Sequence, residues 1–75
     1  MIRYKIDVYK ELKKRGYNTT KIKYEKLLPS QTLMNIREGK SISTETLNKL
    51  CLLLRMQPGD ILEEIPTDEE KIKYF

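Results

Sequence analysis

The sequence predicts an all-α fold, a bundle of five short helices in which the two chain ends are candidates for short strands. Three observations point to it. Apolar residues recur at helical spacing at Ile6–Leu12, Leu33–Ile36 and Leu47–Leu54. Gly16, Pro29, Gly39, Pro58 and Pro66 punctuate the chain between these stripes. The chain has 75 residues, and a fold built from local contacts suits that size.

Helix 1 is expected over about 5–15. Ile6, Val8, Tyr9 and Leu12 form its apolar face, and Arg15 before Gly16 reads as a helix end. Asn18, Thr19 and Thr20 are candidate caps for a short second helix over about 19–26, with Ile22 as its core residue. Pro29 removes a backbone donor and restricts Leu28 to an extended shape. Proline suits a first helical turn, so helix 3 spans about 29–38, with Leu33 and Ile36 inward and Gly39 at its end. Ser43 or Thr44 caps helix 4 over about 44–56. Leu47, Leu50, Cys51 and Leu54 give it the clearest amphipathic stripe in the chain, widened by Leu52 and Leu53. Pro58 and Asp60 open a fifth helix over about 58–64 that buries Ile61 and Leu62, and Pro66 stops it. Residues 1–66 then form one domain and residues 67–75 an exposed tail. Met1–Ile6 and Lys71–Phe75 alternate apolar and basic residues, which is the strand period. Fraying ends or a small strand pairing, within one chain or between two, both fit.

Composition excludes much chemistry. The chain has no His and no Trp, and a single Cys. A histidine-based nucleophile and a disulfide framework are therefore out of reach, and no Cys/His cluster with zinc-ligand spacing exists. Cys51 lies on an apolar face and reads as a small core residue. Glu63-Glu64 and Asp68-Glu69-Glu70 read as a solvated acidic end rather than an acid/base or metal site. The sequence thus predicts no enzyme, cofactor or metal. No apolar run approaches the roughly 18 residues of a membrane span, and a cytoplasmic location is expected. The charge is uneven. Residues 1–55 hold 13 Lys/Arg against 5 Asp/Glu, whereas residues 56–70 hold six acids and no base. A basic body of this kind steers toward polyanions, nucleic acid first among them.

Two features together carry function. Helices 2 and 3 are short and close in sequence, the length pattern of a helix-turn-helix whose second helix can lie in a major groove. The exposed start of helix 3 carries Ser30, Gln31, Thr32 and Asn35, where helix 1 carries Lys and Glu. Gln and Asn can bond adenine N6 and N7 in bidentate fashion. Lys21, Lys23, Lys26, Arg37 and Lys40 surround them and suit phosphate contacts that set position without reading sequence. Capping chemistry also explains Ser-Gln-Thr at a helix start, so the residues alone leave both readings open.

The stretch GYNTTKIKYEKLLPSQTLMNIREGKSIS (16–43) and the helix with Leu47, Lys49, Leu50, Cys51 and Leu54 followed by QPGDIL resemble the Cro/CI-type, or xenobiotic-response-element, helix-turn-helix family. The resemblance covers roughly residues 5–65 and is strongest to its small standalone phage- and plasmid-associated members. It implies a five-helix, lambda-repressor-like fold whose third helix enters the major groove. It places Ser30, Gln31 and Asn35 at base-reading positions. It places Thr19, Thr20, Lys21, Thr32, Arg37 and Lys40 toward phosphate. Three residues depart from the family pattern. Lys23 stands where a small Ala is usual, Leu27 where the turn usually has Gly, and Pro29 where a capping Ser or Thr is usual. On this pattern either Leu27 takes the Gly-like backbone conformation or the turn differs from the standard one. Arg37, where many members carry Glu, is a candidate partner for Glu11. The expected function is sequence-specific binding of double-stranded DNA by a transcriptional regulator acting as a homodimer, with no small-molecule ligand. The alternative is a protein-interaction module, antitoxin-like, that uses the same fold to hold a partner.

Overall fold

In the computed structural model, which describes residues 1–75, the chain runs β1 (Ile2–Tyr4), α1 (Val8–Lys14), α2 (Thr19–Tyr24), α3 (Ser30–Arg37), α4 (Thr44–Leu54), α5 (Pro58–Ile61), β2 (Leu62–Glu64) and α6 (Asp68–Tyr74). The all-α expectation holds for α1 to α5, with a two-stranded sheet and a sixth helix added.

The starts of α1, α2 and α4 follow from side-chain caps, whereas α3 starts after Pro29 without one. Asp7, Asn18 and Ser43 each accept the backbone N–H three residues on, from Lys10, Lys21 and Thr46 at 3.1, 2.7 and 3.1 Å. Asp7 is why α1 begins at Val8 rather than near residue 5. The ends of α1, α2 and α3 share one closure, a six-to-one hydrogen bond with the residue before the closing donor at positive φ. Tyr17 N–H donates to Leu12 O, Leu27 N–H to Ile22 O and Lys40 N–H to Asn35 O, at 2.9, 3.0 and 2.8 Å. Gly16, Lys26 and Gly39 hold the left-handed positions, with φ of 84°, 54° and 71°.

The core is a cluster of nine buried residues: Val8 and Leu12 from α1, Ile22 from α2, Leu28 from the turn, Leu33 and Ile36 from α3, Leu50 and Leu54 from α4, and Ile61 from α5. All are apolar, and no polar or charged residue is buried with them. Each such side chain contributes about 1.5–3 kcal/mol by leaving water. Leu52 does not widen the α4 stripe as expected. It is 70% exposed, because its place on the helix turns it away from α1 and α5. Cys51 is half-buried against the cluster.

A strand pairing does form, and its partner is not the C-terminal segment. β1 pairs antiparallel with β2, matching Ile2 with Glu64, Arg3 with Glu63 and Tyr4 with Leu62. α5 therefore stops at Ile61, and Leu62 lies half-buried in a strand rather than in a helix. Arg3 Nε donates to Glu63 across the pair at 3.2 Å. Residues 67–75, expected as a tail, form α6. Thr67 Oγ1 accepts Glu70 N–H at 3.1 Å while the Glu70 carboxylate accepts Thr67 N–H at 2.9 Å. This reciprocal cap, with acids in the first turn and Lys71 and Lys73 in the last, favours helix over the strand alternation of 71–75. α6 has no buried residue.

Candidate nucleic-acid interface

α2 carries six residues and α3 eight, separated by a turn over 25–29. α2 ends at Tyr24 rather than near residue 26, and the left-handed residue of the turn is Lys26, not Leu27. Lys26 N–H donates to Lys23 O at 3.2 Å, and Leu27 sits in the closing position. Leu28 drives into the core at 3% exposure. The turn is thus fastened at both levels, backbone and side chain. Lys23 is exposed, so its charge stays in water and does not enter the α2–α3 contact.

α3 is held from behind. Leu33 and Ile36 are buried. The Tyr9 hydroxyl donates to Leu33 O. Burial pushes that phenol up, with Arg37 opposing, so it stays a protonated donor. The Arg37 guanidinium lies over the Tyr9 ring, 5.0 Å from its centroid. Arg37 therefore does not take Glu11, whose carboxylate accepts from Lys14 Nζ at 3.2 Å. At the far end of α3 the Tyr4 hydroxyl donates to Lys40 O at 3.3 Å. Tyr9 so ties the middle of α3 to α1, and Tyr4 ties the residue that closes its C-terminal end to β1.

The opposite face of α3 is open. Ser30 and Gln31 are exposed, and Asn35 is half-buried at the edge of a cleft shared with β1 and the link to α4. Gln31 Nε2 donates to Asn35 Oδ1 at 3.0 Å, one turn apart. This bond ties the two amides into a unit and leaves the outward edge of Gln31 one N–H and one carbonyl oxygen. Thr32 is half-buried on the flank. The start of α2 presents exposed Thr20 and Lys21 beside half-buried Thr19. Asn18 already takes the Lys21 amide, and Lys21 Nζ lies 5.2 Å over the Tyr17 ring. Lys40 Nζ lies 2.8 Å from the Glu38 carboxylate. The structure thus groups Ser30, Gln31 and Asn35 on one face, with Lys40 just past its C-terminal end, Lys21 in the first turn of α2 and Arg37 folded toward α1.

Two residues of this face escaped the sequence reading. Met34 and Glu38 are exposed there. Counting three, four and seven from Gln31 gives Met34, Asn35 and Glu38, so helical spacing alone would have found them. Tyr24 and Tyr74 are 87% and 71% exposed, while Tyr4, Tyr9 and Tyr17 pack on the core. No three His, Cys, Asp or Glu side chains converge as a metal site would require. No helix is long and apolar enough to cross a membrane.

A family model described as a Cro/C1-type HTH DNA-binding domain matches residues 8–67. The match takes in α1 to α5, β2 and the cap of α6, and so the whole of the open face. Comparisons with curated proteins and with solved structures give no match.

Proposed function

The chain belongs to the Cro/C1-type helix-turn-helix DNA-binding family, and on that premise we propose that it is a sequence-specific transcriptional regulator whose α3 reads the major groove of double-stranded DNA. One observation carries this reading. α3 is fastened from behind by Leu33, Ile36 and the Tyr9 hydroxyl, while its amide pair Gln31–Asn35 faces outward. A reading helix needs both conditions, because side chains discriminate bases only when the backbone beneath them is fixed.

In this reading Gln31 meets an adenine edge with one donor and one acceptor, and Asn35 holds it in that pose. Ser30 contacts the neighbouring base. Thr19, Thr20 and Lys21 approach phosphate at one end of α3. Thr32, Arg37 and Lys40 do so along its flank and far end, Lys40 exchanging Glu38 for phosphate. A single module of this size buries little surface, so useful specificity follows from a homodimer reading two half-sites about one helical turn apart. Bound to a promoter, such a dimer acts by steric block or recruitment and needs no catalysis.

The test is selection of bound duplexes from a random pool, followed by binding measurements at two salt concentrations. A two-fold symmetric site is expected. Gln31→Ala and Asn35→Ala each relax base choice at a defined position, at a cost of about 1–3 kcal/mol. Lys40→Ala weakens all sequences alike and lowers the salt slope by about 1. Failure to bind any duplex at low salt would refute the regulator and leave the partner-binding alternative. Unchanged base preference in Gln31→Ala would refute the register given to α3.

A further inference from the structure

We infer that Met34 is a base-reading residue that recognises the 5-methyl group of a thymine, so that each half-site carries a thymine beside the base met by Gln31. The inference rests on the proposed reading of α3 and adds to it a contact of a different chemical kind.

Met34 is 54% exposed, although α3 has a buried side to which Leu33 and Ile36 belong. A single exposed apolar residue on a protein surface is ordinary. The position of this one is not. It lies one turn from Gln31 and adjacent to Asn35, on the face whose remaining members, Ser30, Gln31, Asn35 and Glu38, are all polar. The hydrogen bond between Gln31 and Asn35 draws those two amides toward each other. Met34 shares neither that bond nor the core, and no neighbouring element buries it.

Docking against base edges would strip water from this side chain whatever base it met. Against a guanine, adenine or cytosine edge it would desolvate a donor or acceptor and offer nothing in return. The thymine methyl is the one apolar feature that the major groove displays. Side chains one turn apart on a helix have Cβ atoms about 5–6 Å apart. Successive bases on a strand are about 3.4 Å apart along the axis. Met34 therefore reaches a base pair next to the one read by Gln31, not a distant one. An unbranched, polarizable thioether suits the shallow, variable surface of a methyl group among polar neighbours.

The test replaces thymine by deoxyuridine, position by position, in the site obtained by selection. This removes one methyl group and leaves every hydrogen-bonding group in place. The expected result is one position per half-site, adjacent to the Gln31 base, at which loss of the methyl weakens binding about fourfold, as burial of one such group implies. Met34→Ala should bind the thymine and deoxyuridine duplexes alike. Met34→Leu, which keeps an apolar group, should restore the difference. Because Met34 lies outside the core, all three proteins should melt at the same temperature. Indifference of the unaltered protein to every methyl, or the same methyl sensitivity in Met34→Ala, would overturn the inference while leaving sequence-specific binding intact. Absence of any selected site would overturn the reading of α3 itself, and the inference with it.

Discussion

Lys26 and Gly39 occupy equivalent places, the left-handed residue after α2 and after α3, with φ of 54° and 71°. A side chain in that conformation brings Cβ close to the following carbonyl, at about 1–2 kcal/mol per residue. Glycine avoids the clash, and a Cβ added at Gly39 would meet nothing within 4 Å. The two sites therefore predict opposite outcomes from one cause. Lys26→Gly should raise the free energy of unfolding by about 1 kcal/mol, and Gly39→Ala should lower it by a similar amount. Urea denaturation measures both. A destabilised Lys26→Gly protein would show that the lysine stem contributes packing that outweighs the backbone strain. The same residue explains how the turn tolerates Leu27. The left-handed conformation falls one position earlier, and Leu27 is left free to pack on the core.

At the level of elements, α4 anchors the bundle. Leu50 and Leu54 are fully buried, and α4 meets both α1 and α5. Leu50→Ala should cost about 2–5 kcal/mol. That is comparable to the whole stability of so small a domain. We expect the variant to lose its cooperative thermal transition by circular dichroism, whereas Leu52→Ala, at an exposed position of the same helix, should keep it. This contrast also marks what the sequence could and could not disclose. The stripe Leu47, Leu50, Cys51 and Leu54 was readable because a helical period is a local property. The exposure of Leu52 was not, because it depends on where α1 and α5 approach. The alternation at Met1–Ile6 was readable as a strand. Its partner, Leu62–Glu64, lies some sixty residues away, and nothing local pairs two segments at that distance. The same holds for the candidate site. Gln31 and Asn35 stood out by residue type, Met34 did not, and the fastening of α3 by Tyr4 and Tyr9 required the fold. α6 was readable in principle, since Thr67 and Glu70 form a capping pair.

The molecule measures 45 × 22 × 19 Å, and its two ends differ in what holds them. The core contains no titratable group. The end formed by β1, β2 and α6 is held by charge. The Met1 ammonium donates to the Glu64 carboxylate, to Ile65 O at 2.9 Å and to the Glu70 carboxylate at 2.6 Å. The ammonium bond, before the capping amide of Thr67, holds the Glu70 carboxyl down at about 2. Glu64, then Glu70, raise the ammonium above its ordinary value of 8.0. The signs set the window. A lowered carboxyl stabilises the attachment fully above its ordinary value of 4.5 and ceases to do so as pH falls toward 2. A raised ammonium stabilises it fully below its ordinary 8.0 and ceases to do so as pH rises through the raised value. Attachment of α6 is therefore firmest between these limits, and it weakens on both sides. All three charged groups lie in water and add only a local restraint. The expected result is that the amides of α6 lose hydrogen-exchange protection before those of α1 to α4 on both the acid and the alkaline limb. Glu70→Gln should produce the same loosening at neutral pH, since glutamine can still cap Thr67 but carries no charge for the ammonium. Simultaneous loss of α6 and the core, or an α6 indifferent to Glu70→Gln, would mean that apolar contact rather than charge holds this end of the molecule.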